Sequence, residues 1–422
     1  MSDLYDVVGV GFGPSNLALA IALTEHNSQA GPGDQVRGRF LERQPRFGWH
    51  RGMLIEDATM QVSFLKDLVT MRNPSSGFSF LCYLRDRGRL VDFINHKNLF
   101  PLRTEFHDYF EWAAAQVEDL VTYGTNVTDL RFDGEHFQVG DHRARNVVLA
   151  TGLRPSMPVG IPRDQRIWHN SELLTRIDTV TDARRFVVIG AGQSGAEVTA
   201  FLHSRFPQAE VCGIFSRYGY SPSDDSAFAN RIFDPNAVDD FYYAPEDVKR
   251  RLMGYHANTN YSVVDIDLID ELYRREYREK VQGTQRLRLF NASEPAKVVR
   301  TSDGVQVTVR SLTTGEETRL DADVVVCATG YSPADPTDLL GDLAQYVVRD
   351  EQGRPQVDRD YRVWTVPELS AGIYLQGGTE HTHGITSSLL SNTAVRVGEI
   401  LGSIIARRAA TYHPEYAATA RA

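Results

Sequence analysis

Two stretches of the chain share one pattern of apolar and small residues. In the first, the run Val7-Val8-Gly9-Val10 enters Gly11-Phe12-Gly13-Pro14-Ser15-Asn16 and continues into Leu17 to Leu23. That order predicts a buried strand, a tight turn and a helix, with Leu17, Ile21 and Leu23-Thr24 spaced to bury one face. Arg37-Gly38-Arg39-Phe40-Leu41-Glu42 then predicts a second strand ending in an acid. The pattern restarts at Arg185-Phe186-Val187-Val188-Ile189, with the turn Gly190-Ala191-Gly192-Gln193-Ser194-Gly195 and a helix from Ala196. Each unit later returns to a buried strand closed by Ala-Thr-Gly, at Asn146 to Gly152 and again at Asp323 to Gly330. A unit of this size occurring twice predicts duplication of a nucleotide-binding fold, not a short-period solenoid.

Between these landmarks the pattern is uneven. Trp49 to Asn98 has little periodicity and is rich in aromatic, Met, Asn, Pro and Ser residues, which suits an active-site wall better than filler. Asp108 to Val121 predicts a helix; Val127 to Arg131 with Phe137 to Val139 predicts a hairpin. Glu210 to Phe215 predicts a strand, Tyr255 to Val281 mixed helical segments, Ile373 to Gln376 a late buried strand, and Leu389 to Arg407 a C-terminal helix. The expected fold class is α/β: two Rossmann-like dinucleotide-binding domains plus a smaller, mostly helical substrate-binding region. Residues 1–165 and 355–422 are assigned to the first domain, 166–215 and 292–354 to the second, and 216–291 to the substrate region.

Composition narrows the function. The chain has 422 residues, enough for two or three folded units, with 42% hydrophobic and 24% charged residues, as in an ordinary globular protein. Its 45 Lys+Arg against 55 Asp+Glu give a net charge of −10, which argues against a nucleic-acid partner. Cys82, Cys212 and Cys327 are too few and too scattered for a disulfide framework or a structural zinc site, so a reducing, cytoplasmic setting is expected. No run approaches the ~18 apolar residues of a membrane span. Asp3 and Asp6 precede the apolar N-terminal stretch where a signal peptide would carry basic residues.

The two glycine turns differ in detail. The first reads Gly9-x-Gly11-x-x-Pro14; a proline suits the opening turn of a helix, where its missing N–H costs nothing. Glu42 lies 42 − 9 = 33 residues on and can accept hydrogen bonds from a ribose diol. The second turn is a full Gly190-x-Gly192-x-x-Gly195, and its next strand ends in Ser216-Arg217 instead of an acid. A cation there can pair with a 2′-phosphate, which favours NADP(H), although a loop arginine can equally be a solvated surface charge. Two dinucleotide units in one chain imply electron transfer between two cofactors, usually FAD in the first unit and NADPH in the second.

The sequence resembles the microbial N-hydroxylating flavin monooxygenases, which hydroxylate the side-chain amine of ornithine or lysine for hydroxamate siderophores. The carriers are Val8 to Leu17, Trp49-His50-x-x-Met53-Leu54, Met60 to Val69, Arg72-Asn73-Pro74, Gly88-Arg89-Leu90, Phe93-Ile94-Asn95 and Glu105 to Tyr109. Asn258 to Tyr261, Thr382-His383-Gly384 and Leu389-Leu390-Ser391 continue the match nearly to the end of the chain. Arg72-Asn73-Pro74 with Gly88 to Asn95 looks like the ornithine branch.

The resemblance implies FAD and NADPH as cofactors, a flavin C4a-hydroperoxide as the oxygenating species, L-ornithine and O2 as substrates, and often a homotetramer. It assigns Lys66 to the substrate carboxylate, where the residues alone would also allow a surface lysine paired with Asp67. Asn230 and Asn260 match the family's substrate asparagines, and Ser391 is the candidate for the α-amino end. Gln61, Trp49 and His50 fall beside the flavin, with Gln61 and Asn260 closest to catalysis, and His383-Gly384 reads as a flavin contact. His381 and His383, two residues apart with no third ligand in view, do not read as a metal pair. The competing readings are the same chemistry on lysine or a diamine, an oxygenase acting on ketones or sulfides, a disulfide reductase (which would want a cysteine pair), and a non-catalytic nucleotide sensor.

Overall fold

The computed structural model describes residues 4–412. Two five-stranded parallel sheets organise it. The first has the order Gly372–Leu375, Asn146–Leu149, Val7–Val10, Gly38–Leu41, Val121–Thr122. The second has the order Ile167–His169, Val324–Cys327, Arg185–Ile189, Glu210–Ile214, Leu287–Phe290. In both, the strand entering the glycine turn lies beside the strand that ends in Ala-Thr-Gly: Val8 pairs with Val147, and Phe186 with Val324. The duplication expected from sequence is therefore present strand for strand at the centre of each sheet.

Strands buried on both faces read as unbroken apolar runs. All four residues of Val7–Val10 and all four of Val324–Cys327 are buried. The helix after the first turn, Pro14–Gln29, departs from the one-faced reading: Asn16 to Leu23 are buried on every side. It lies between the first sheet and the C-terminal helix Thr393–Tyr412, whose Val397, Ile400, Leu401 and Ile404 join the same core. Helix and partner thus cover part of one face of the sheet, in a core that Phe106 and Phe110 of a later helix also join.

The irregular stretch from Trp49 to Asn98 contains two short helices, Phe80–Asp86 and Leu90–His96, and a single turn at Arg51–Met53. The following helix spans Arg103–Ala115, starting earlier than its apolar spacing predicts. Arg131–Phe132 and Phe137–Val139 do pair as a hairpin. Directly after each Ala-Thr-Gly, Leu153–Pro155 and Tyr331–Pro333 pair antiparallel with each other, so the two chain crossings between domains form one two-stranded link.

Three boundaries shift. Leu287–Phe290 is an edge strand of the second sheet, so the substrate region gives up its last residues to that domain. Leu340, Leu343 and Val347 pack with Val8, Val10 and Leu149 on the first sheet, so this segment belongs to the first domain although it precedes 355. Ile161 packs with Val187 and Ile189 on the second sheet, although it precedes 166. Single-sequence hydropathy registers that these residues are apolar; it cannot say which of two similar cores receives them. All three cysteines are free, with Cys212 and Cys327 buried in the second sheet. Among the described residues no helix is long and apolar enough to cross a membrane.

Candidate active site

The first glycine turn is built for close approach. Gly11 has φ +85, and a Cβ there would meet the Ala150 carbonyl oxygen at 2.4 Å. Gly9 is equally confined, with the Phe40 ring 2.3 Å from a would-be Cβ. Gly13, which caps the helix, faces open space, and Pro14 follows at the first helical position. Unpaired N–H groups and the positive end of the helix dipole therefore point into a free cradle. Glu42 is buried at the end of the second strand; its carboxylate accepts the Phe12 N–H at 2.6 Å and the Gln44 N–H at 2.8 Å. It braces the turn from below with both oxygens engaged.

A second feature fits the same cradle. From Gln376 to Arg396 the chain carries buried polar atoms with no hydrogen-bond partner among the described residues: Gln376 Oε1, Thr379 Oγ1, Ser387 Oγ, Ser391 Oγ, both side-chain polar atoms of Asn392, and Arg396 Nε. Gln376 also donates to the Ser15 carbonyl and to Asn16 Oδ1, which sets the segment against the first glycine turn. Unsatisfied buried groups are costly and rare. Gathered beside an open nucleotide cradle, they suit a polar ligand of dinucleotide size, and the residues present fit FAD.

The second cradle repeats the design. Gly190 has φ +134, with the Ala328 carbonyl oxygen 2.2 Å from a would-be Cβ, and Gly195 packs on the Gly190 carbonyl. Gly192 caps the helix Gln193–Arg205 and faces the backbone of Ser262, 3.4 Å from a would-be Cβ. Ser194 lies in the first turn, and Gln193 accepts the Asp265 N–H at 2.8 Å. Arg217 is exposed and donates to the Ser262 carbonyl at 2.8 Å, with no carboxylate bound to it among the described residues. The loop through Tyr261 and Ser262 thus lies against both the cradle and the candidate phosphate-binding arginine. NADPH fits this donor set.

The wall between the cradles carries the remaining candidates. Trp49 stands edge-on to His50 and to Phe110, at 4.7 and 5.3 Å between centroids. His50 keeps an accessible face within a crowded cleft; desolvation, helped by the Arg103 cation, lowers its imidazole pKa to about 4. It is therefore neutral at ordinary pH. Gln61 is exposed, 3.5 Å from the Thr59 hydroxyl.

Lys66 is half-buried and makes no ion pair among the described residues. Its ammonium lies 5.6 Å from the Phe233 ring centre. Burial pulls its pKa down and Asp234 partly restores it. The alternative partner, Asp67, is otherwise engaged: its carboxylate accepts the N–H groups of Val69, Thr70 and Phe80 and the Thr70 hydroxyl. Asn230 lies in the short turn Ala229–Phe233, which also carries Phe233. Its amide nitrogen donates to the carbonyls of Asp225 and Ser226, and Oδ1 has no hydrogen bond among the described residues. Asn260 neighbours the Tyr261 phenol, which donates to Glu380. Ser391 is buried with its hydroxyl unpaired.

One expectation needs correction. The His383 imidazole is a core group, 1% exposed and stacked on Tyr361 at 4.1 Å. Thr382 and the Arg359 carbonyl engage its two nitrogens, and burial drives its pKa to about 3. Only backbone at His383 and Gly384, where φ is +74, is left to offer a cofactor. Sequence reasoning also missed Arg103, Glu197, Phe233, Asp234 and Arg396. None carries a local motif; only their tertiary neighbours mark them.

Comparison with known proteins agrees with this geometry. Residues 3–333 match the L-lysine 6-monooxygenase/L-ornithine 5-monooxygenase family. An L-ornithine N(5)-monooxygenase of Burkholderia cepacia is 41% identical over 406 residues, covering 90% of each chain. The ornithine N-hydroxylase of Kutzneria sp. 744, solved with reduced FAD, NADP+ and L-ornithine, superposes with a TM-score of 0.92 at 49% identity, covering 96% of this chain and 100% of that one. The L-lysine 6-monooxygenase of Pseudomonas syringae superposes less closely, with a TM-score of 0.84 at 30% identity, covering 95% and 99%. The family match and these likenesses, borne on a chain with two nucleotide cradles, make it a member of the lysine 6-/ornithine 5-monooxygenase family.

Proposed function

We propose that this chain is an NADPH-dependent flavin N-monooxygenase that converts L-ornithine and O2 to N5-hydroxyornithine, for a hydroxamate siderophore or related natural product. The first domain takes FAD and the second NADPH. When bound, the flavin supplies the redox and oxygen chemistry and NADPH supplies the reducing equivalents. A cytoplasmic homotetramer is the corresponding expectation for location and assembly.

The observation that carries the substrate reading is Lys66. A half-buried ammonium with no ion pair among the described residues is poised for an anion, and ornithine brings a carboxylate to it. A diamine would leave that charge unpaired, which is how a polar site rejects an analogue lacking the matching group. Ser391, with its free hydroxyl, takes the α-amino end.

The side-chain amine must present a neutral lone pair. Asn230 Oδ1 and the Asn260 amide hold it by hydrogen bonds. An amide oxygen orients an amine without favouring its ammonium form, as a carboxylate would. Gln61, Trp49 and neutral His50 border the flavin ring in this reading, adding no competing charge. The chain's own contribution is then positioning and exclusion of water, without a side-chain nucleophile.

The test is the product made under 18O2 with FAD, NADPH and L-ornithine. One labelled oxygen on Nδ of ornithine, identified by mass spectrometry, is the predicted result. Unlabelled ornithine with NADPH consumed would refute the reading.

A further inference from the structure

A buried ion pair joins the two domains, beside an apolar seam in which Met53, Ile55 and Ala58 pack with Val198 and Leu202 of the second core. Arg103, at the start of the helix Arg103–Ala115 in the first domain, meets Glu197 on the second cradle's helix. The contact is bidentate, at 2.7 and 2.9 Å, and the side chains are 12% and 5% exposed. A cation at a helix N-terminus opposes the dipole, so local helix electrostatics do not explain Arg103. Its other donors go to the carbonyls of Met53 (2.9 Å) and Thr59 (3.4 Å) in the cleft wall. The Thr59 hydroxyl is the partner of Gln61. On the far side, Glu197 accepts from Gln193 at 3.0 Å, and Gln193 accepts the Asp265 N–H, just after the Tyr261 loop. One chain of hydrogen bonds thus runs from the flavin wall, through the nucleotide helix, to the substrate region.

We propose that Arg103 and Glu197 are positioning residues: their pair sets the NADPH-binding helix against the flavin wall, and hydride delivery depends on it although neither residue touches a reacting atom. The inference rests on the flavin and NADPH reading above. A bidentate Arg–carboxylate pair fixes distance and angle together, which a single contact cannot do. Without it, the apolar seam of Met53, Ile55 and Ala58 still holds the domains together, but the nucleotide helix loses the polar clamp that fixes its angle. A misplacement of ~1 Å can slow a reaction by about 100-fold.

The test uses full-length protein loaded with FAD. Wild type, Arg103→Met, Glu197→Gln, the double variant and Arg103→Lys are reduced anaerobically, once with NADPH and once with dithionite. NADP+ affinity is measured by calorimetry, and thermal midpoint and FAD content are recorded. The expected result is reduction by NADPH slowed about 100-fold, with reduction by dithionite unchanged per bound flavin. The double variant should be no worse than the poorer single variant, because the pair acts as a unit. Arg103→Lys, which keeps charge but loses the fork, should lie between and serves if the other variants fail to fold. NADP+ should bind about tenfold more weakly in Glu197→Gln, because the unpaired Arg103 lets the nucleotide helix drift. Normal reduction by NADPH in the variants, with only a lower thermal midpoint or FAD content, would overturn the proposal. So would equal slowing with both reductants, or wild-type behaviour of Arg103→Lys. Wild type that NADPH cannot reduce would instead overturn the underlying reading of the enzyme.

Discussion

Replacing Lys66 by methionine removes the charge assigned to the substrate carboxylate while keeping most of the side chain's volume. At a contact of ~4 Å and an effective dielectric constant of ~20, an ammonium–carboxylate pair gains about 4 kcal/mol. Lys66 is half-buried, so solvent screening and side-chain ordering reduce that figure to about 2–3 kcal/mol. At 1.4 kcal/mol per tenfold, KM for L-ornithine should rise about 30- to 150-fold. KM for NADPH should stay put, because the neighbours of Lys66 are Phe233 and Asp234, neither of which belongs to a glycine turn. Steady-state kinetics with varied ornithine and varied NADPH measures both. pH gives a second handle. Lys66 acts as the ammonium, and burial lowers its pKa, so KM for ornithine should climb as pH rises through that lowered value. The substrate amine acts as the free base, so in the profile of kcat/KM its limb rises with pH while the Lys66 limb falls. Lysine-to-methionine should erase the falling limb due to Lys66 and retain the rising one. An unchanged KM for ornithine, or equal increases for ornithine and NADPH, would refute the carboxylate role.

Other substitutions probe other parts of the site. Arg217→Ala should raise KM for NADPH about 10- to 100-fold while leaving NADH little changed, because only NADPH brings a 2′-phosphate; steady-state kinetics with both nucleotides decides. Gly11→Ala must place a Cβ 2.4 Å from the Ala150 carbonyl at a φ of +85, so the purified protein should hold little FAD, read from its visible spectrum. Asp67→Ala strands three backbone N–H groups that its carboxylate accepts, and should cost about 2–4 kcal/mol, seen as a lower thermal midpoint with the KM for NADPH intact.

Much of the site was readable from spacing because backbone geometry demands it. Only glycine tolerates the approach of Ala150 and Ala328 carbonyls at Gly11 and Gly190, so the residues announce the turns. The strands beside them are buried on both faces and read as apolar runs. Contacts between distant residues left no such trace. Arg103 and Glu197 are 94 positions apart and belong to different helices. Asp67 looked like a partner for Lys66 because the two are adjacent in sequence; its carboxylate instead closes the turn that leads to Phe80. His383 sits in a motif suggestive of cofactor contact, yet Tyr361 and Arg359, more than twenty residues earlier, enclose it. Assigning Leu340 and Leu343 to the first core required knowing where the chain returned after the two-stranded link.

The most direct test of the central claim is hydroxylated amine formed per NADPH oxidised, with FAD present, on L-ornithine, L-lysine and putrescine in parallel. The account predicts a ratio near one with L-ornithine and little product from the other two. Product mainly from lysine or putrescine, or NADPH oxidation that yields only peroxide with all three, would contradict it.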